Sequence, residues 1–140
     1  EASHERIVEA ARLAGLDEVI SKLPHGDDTI IGSSSCRLSR AQLQQLGIAR
    51  AVLSEPPVLL LDEPFALLDA DLERRIWKNL RSAFRDRTII IASSRPDTVR
   101  NADLILVLDQ GSIVERGSHS ELMNRDGLYR YLQKQSSAPV

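Results

Sequence analysis

Helical and strand-like spacings of apolar residues alternate along the chain. In "SHERIVEAARLAG", Ile7, Ala10, Ala11 and Ala14 share one helical face, and Gly15 can end that helix. Asp17 is placed to cap a short second helix, Asp17 to Leu23, which Pro24 stops. "HGDD" reads as a turn, "TIIG" as a short extended piece and "SSSCR" as a loop. A longer helix follows from about Ser39 to Ser54, with Leu43, Leu46, Ile48, Ala49 and Leu53 as its apolar stripe and "EPP" as its stop. "VLLLDEP" breaks the helical period. It is a continuous apolar run bounded by turn signals, which predicts a fully buried strand. Asp69 or Asp71 opens a long helix in which Leu72, Ile76, Leu80 and Ala83 share a face. "TIIIA" is a second buried strand, Pro96 to Asn101 a short helix and "LILVLD" a third strand. "DQG" turns the chain into "SIVERG" as a hairpin, "SHSE" opens the C-terminal helices, and "SSAPV" reads as a frayed tail. Strands alternating with helices predict an α/β domain with parallel strands.

Composition adds limits. The chain has 140 residues, 42% hydrophobic and 27% charged, enough for one small core. A net charge of -2 does not suggest a nucleic-acid surface or a polybasic membrane patch. Cys36 is the only cysteine, so no intrachain disulfide forms. No apolar run approaches the roughly 20 residues of a membrane span. The chain opens inside a helix without an initiator methionine and reads as a piece of something longer.

Two places carry candidate chemistry. Asp62 and Glu63 directly follow a buried strand, at the carboxyl edge of a parallel sheet where open α/β folds bind ligands. Mg²⁺ suits one carboxylate, since it takes hard oxygen ligands and keeps most of its waters. The other carboxylate can orient or deprotonate an attacking water. The plainer alternative is a pair of solvated loop acids. The second place is the start of the helix at Ser39. Ser39 and Gln42 form a capping box, and the helix N-terminus favours an anion such as phosphate. Capping alone, worth about 1 kcal/mol, is the plainer alternative there.

Taken in order, these stretches resemble the nucleotide-binding domain of ABC transporters of the exporter type. "LSRAQ" stands where that family has its LSGGQ signature, and "EAARLAGLDEVISKLPHGDDTIIG" resembles the helical stretch before it. "QLQQLGIARAVLSEPPVLLLDEP" follows the run from signature helix to Walker B, and "ALLDADLE" resembles the D-loop and its helix. "TVRNADLILVLDQGSIVERGSHSELMNRDGLY" is similar to the C-terminal stretch. The resemblance implies the C-terminal part of a P-loop ATPase core plus part of the helical subdomain. Residues 1–54 would be the helical subdomain part, 55–135 the core part and 136–140 a tail. It implies ATP and Mg²⁺ as ligands, with Asp62 holding the metal and Glu63 as general base. Ser39, Gln42 and the backbone around Arg40 and Ala41 would face the γ-phosphate of ATP on a partner subunit, and Asp69 would lie at that dimer interface. Implied partners are a second nucleotide-binding domain, transmembrane domains, and the N-terminal part of the same domain, at the cytoplasmic face of a membrane.

Three departures shape this expectation. No G-x-x-x-x-G-K-[ST] phosphate loop occurs, so this chain alone is expected to be inactive. Arg40 and Ala41 stand where the signature has glycines, which narrows the anion site; Arg40 either clashes with a phosphate or pairs with it. The family's switch histidine aligns with Ser94, or with Ser93 if the loop is one residue longer, and serine lacks the reach and charge of imidazole. Together these changes suit a composite site that hydrolyses slowly. In the family's sheet the phosphate-loop strand runs between "TIIIA" and "LILVLD", so both strands are expected to lack a neighbour. His4, His25 and His119 have no metal-ligand spacing. Competing readings are a non-catalytic regulatory or dimerisation module and a lobe of a DNA-associated ABC-type ATPase.

Overall fold

The computed structural model describes residues 2–32 and 36–136. The chain forms two compact units, Glu1–Ile91 and Ala92–Val140.

In the first unit, α1 (His4–Leu13) is capped by the Ser3 side chain, and α2 (Asp17–Ile20) is a single turn, shorter than the sequence suggests. The "HGDD" turn becomes a 3-10 turn over Gly26–Asp28. "TIIG" forms no strand: Ile31 and Gly32 lie in a turn, and Ile30 is 78% exposed. Most of "SSSCR" lies outside the described residues.

Helix α3 (Arg40–Leu53) packs against α1. Its buried face is Gln45, Ile48, Ala49 and Val52, so the stripe is rotated from the expected one and Leu43 is exposed. The rotation follows from what Gln45 does. Its Nε2 donates to the carbonyls of Ala14 (3.1 Å) and Gly15 (2.8 Å), which lie beyond the last turn of α1. Gly15 has φ +70, a conformation that favours glycine, and a Cβ there would stand 2.9 Å from Leu72 Cδ1, whose side chain would have to shift. Ile7, expected on the buried face of α1, lies toward solvent. The first turn of α1 meets the polar end of α3, where Arg6 donates to the Leu53 carbonyl at 3.1 Å.

Strands β1 (Val58–Asp62) and β2 (Thr88–Ala92) form one two-stranded parallel sheet, joined by α4 (Ala70–Ala83). They are not buried on both faces. Leu59 and Leu61 point into the core, whereas Leu60 is 68% exposed and Val58 and Ile90 are also exposed. A continuous apolar run is what a strand covered on both sides needs, and within this unit only one side is covered. The buried stripe of α4 is Ile76, Trp77 and Leu80, continued by Phe84; Leu72 is half-buried and Ala83 exposed. Trp77 is a packing residue, its ring 6.3 Å from that of the fully buried Phe65.

In the second unit, a 3-10 turn over Pro96–Val99 stands where a short helix was expected. Strand β3 (Ile105–Asp109) pairs antiparallel with β4 (Ser112–Gly117) as the expected hairpin, with a bulge between Val107 and Leu108. Gln110 (φ 47) and Gly111 (φ 78) make its two-residue turn. Here too one face is covered: Ile105 and Val107 pack on Leu122 and Tyr129, while Leu106, Leu108, Ile113 and Val114 are exposed. The strands β2 and β3 belong to separate sheets. Helix α5 (His119–Met123) carries the Ser118–Glu121 capping box, and α6 (Leu128–Ser136) closes the unit. Gln133 Nε2 donates to the Pro96 carbonyl (2.8 Å) and to the Tyr129 oxygen (3.0 Å), which sits 2.8 Å from His119 Nδ1. Burial pushes the Tyr129 phenol up, so it stays neutral, and the imidazole tautomer sets which of Tyr129 and His119 donates.

Candidate functional site

Two backbone features hold the candidate residues of the first unit. The first is the start of α3. Ser39 N–H donates to Gln42 Oε1 at 2.8 Å, and Gln42 N–H donates to Ser39 Oγ at 3.2 Å, so the capping box is complete. Both side chains are thereby held by the helix end itself. Arg40 is exposed at the first helical position, with its backbone in the turn whose N–H groups begin the helix. Ala41 is half-buried and packs against the core, so its methyl fills space behind the helix end.

The second feature is the turn after β1. Asp62 ends the strand with its side chain exposed. Glu63 follows in the left-handed region (φ 43), a conformation costing a non-glycine residue about 1–2 kcal/mol. Such a residue persists where its surroundings hold it. Part of that hold is visible: the Glu63 carbonyl accepts from Gln44 Nε2 at 2.6 Å, and Gln44 Oε1 accepts from Leu67 N–H at 3.0 Å. Phe65, fully buried, pins the middle of the turn. The left-handed step swings the chain away from the strand line and leaves Glu63 half-buried beside the exposed Asp62. Asp69 ends the turn as the N-cap of α4, its Oδ1 accepting from the N–H groups of Asp71 (3.1 Å) and Leu72 (2.9 Å).

Ser39, Arg40, Ala41, Gln42, Asp62, Glu63 and Asp69 thus all lie in the first compact unit. Ser94 lies in the second, exposed, next to Ser93, whose hydroxyl accepts from Arg95 N–H at 3.1 Å. Sequence reasoning missed Gln44 and Gln45. A polar residue on the apolar face of an amphipathic helix was the available signal for Gln45, three and four residues before Ile48 and Ala49. Nothing local marked Gln44, because its partners lie 19 and 23 residues away.

As a donor set, the turn offers two adjacent carboxylates, one exposed. Among the described residues no group of three or more His, Cys, Asp or Glu side chains could hold a metal. The Asp62–Glu63 pair fits Mg²⁺, which is bound through one or two carboxylates with the remaining positions filled by water and phosphate oxygens.

The ABC transporter family profile matches residues 2–66. The chain is 46% identical over 132 residues to the ATP-dependent lipid A-core flippase of Vibrio vulnificus (strain CMCP6), covering 94% of this chain and 23% of that protein. It is 44% identical over 134 residues to the exotoxin translocation ATP-binding protein PaxB of Pasteurella aerogenes, covering 95% of this chain and 19% of that protein. Among solved structures, a bacterial Atm1-family ABC exporter with ATP bound superposes with a TM-score of 0.90 at 38% identity, over 99% of this chain and 24% of that one. The chain therefore spans less than a quarter of the length of each of these proteins.

Proposed function

The chain belongs to the ABC transporter family, and we propose that it is the C-terminal part of an exporter's ATP-binding domain, coupling ATP binding and hydrolysis to transport. The observation that carries this is the junction of β1 and its turn. An exposed Asp62 and a half-buried Glu63 are held beside each other by a left-handed backbone step that is tied to the capped signature helix.

In this reading Asp62 holds Mg²⁺, through water, and the bound ion neutralises charge on the nucleotide's phosphates. Glu63 accepts a proton from the attacking water or orients it. Ser39, Gln42 and the backbone N–H groups around Arg40 and Ala41 face the γ-phosphate of a nucleotide held by a second nucleotide-binding domain. Asp69 lies at that dimer interface while capping α4. Ser94 stands in the switch position. Serine there leaves no imidazole to meet the phosphate, which suits a slow composite site. The relatives are named as exporters and translocators, so transmembrane domains are proposed as partners, with this domain at the cytoplasmic face. Among the described residues no helix is long and apolar enough to cross a membrane.

The test is Glu63→Gln in the full-length protein. Turnover should fall by about 10²–10⁴-fold while nucleotide binding is retained. Unchanged turnover would remove Glu63 from the chemistry. A second reading, a non-catalytic regulatory module, is favoured by Ser94 alone; it predicts ATP binding with no turnover for Glu63→Gln to abolish.

A further inference from the structure

We infer that Gln44 is a positioning residue, fixing the Glu63–Leu67 turn to helix α3 so that the helix facing one nucleotide holds the general base serving the other. This rests on the function proposed above.

The geometry is specific. Both ends of one side-chain amide are used on backbone groups of one turn: Nε2 on the Glu63 carbonyl at 2.6 Å, Oε1 on the Leu67 N–H at 3.0 Å. Gln44 is half-buried on α3, two residues after Gln42 of the capping box. The turn it grips includes the left-handed Glu63 and leads within two residues to Asp69. Rotation of the peptide plane after Glu63 changes ψ of Glu63, since the ring of Pro64 fixes the following φ, and re-aims the carboxylate. A donor fixed on that carbonyl therefore sets where the base points. The Leu67 bond closes the other end of the turn, and neither bond alone would prevent it from pivoting. A side-chain amide donates at one end and accepts at the other, which matches the carbonyl and the N–H it meets here.

Within the proposed dimer the N-terminus of α3 faces the partner's nucleotide, while Glu63 serves the nucleotide held by its own domain. A shift of α3 on binding at its N-terminus is then transmitted to Glu63 through a single side chain rather than through the core. The link is mechanical and needs no charge.

The experiment compares two variants in the full-length protein. Gln44→Met keeps length and loses both bonds. Gln44→Glu keeps the acceptor for Leu67 N–H and loses the donor to Glu63. Gln44→Met should lower kcat by about 10²-fold, the cost of a small misplacement of a reacting group, with KM for ATP changed by no more than about twofold. Amide exchange over residues 63–67 should accelerate in Gln44→Met, and nucleotide should no longer slow it. Gln44→Glu should keep Leu67 protected and still lose kcat. A general loss of structure would instead raise exchange throughout α3 and change KM together with kcat. Wild-type kcat in both variants, or a fall in kcat with unchanged exchange over 63–67, overturns the inference. Failure of the proposed function reads differently. Wild-type protein would then show no turnover that Glu63→Gln abolishes, and faster exchange in Gln44→Met would show the clamp without a catalytic role to serve.

Discussion

Gln45 donates its side-chain amide to the carbonyl of Gly15 at 2.8 Å, so a buried polar residue of α3 closes the end of α1. A second bond from the same nitrogen reaches Ala14 at 3.1 Å. Both carbonyls lie just past α1 and have lost their intrahelical partners. Replacing Gln45 with leucine keeps volume and leaves the two oxygens without this donor. Stability should fall by about 1–3 kcal/mol, measured as a lower urea midpoint with an unchanged slope. No change in midpoint would mean that water replaces the amide at no cost.

The capping box of α5 should be pH-sensitive. Backbone and side-chain hydrogen bonds from Ser118 hold the Glu121 carboxyl below its ordinary value of 4.5. Because the folded-state pKa is the lower one, the contribution is complete above that ordinary value and is lost as pH falls through the folded value. The stability difference between wild type and Glu121→Ala should therefore be present at neutral pH and shrink as pH is lowered below 4.5. Thermal melts across that range check it. A difference that stays constant with pH would assign the effect of the substitution to helix propensity alone.

The exposed faces of both hairpin-sized sheets should make the chain self-associate when it is alone. Val58, Leu60 and Ile90 form one such face; Leu106, Leu108, Ile113 and Val114 line the other sheet. Two-stranded sheets also leave unpaired edges. Light scattering over a concentration series should show growing mass, and Leu60→Lys together with Leu108→Lys should reduce it. A wild-type chain that stays monomeric at every concentration would contradict this.

Ser94 gives a gain-of-function test. In the full-length protein, Ser94→His should raise ATP turnover by about 10²-fold, the lower end for a positioned proton-transfer group. The same change in a Glu63→Gln background should have no effect. A rise in both backgrounds would mean that histidine acts without the glutamate and would reassign the base.

Much of this protein was determined by interactions that span four residues or fewer, and these are legible in sequence. Ser39 with Gln42, Ser118 with Glu121, Asp69 with Asp71 and Leu72, and the Gln110–Gly111 turn each satisfy backbone groups within one turn of chain. The order of motifs was equally visible, and with it the ABC transporter resemblance, because spacing along the chain is itself sequence. Tertiary structure alone decided the rest. An apolar run such as "VLLLD" states that both faces of a strand can be covered and cannot state which face this chain covers; packing put Leu59 and Leu61 inside and left Leu60 out. The rotation of α3 depended on a carbonyl 30 residues away at Gly15, which made glutamine the better buried residue at position 45 and sent Leu43 to solvent. The left-handed step at Glu63 was decided in the same way. No residue beside it in sequence demands that φ, and the Gln44 amide that grips its carbonyl arrives from 19 residues earlier only once α3 has docked on the turn.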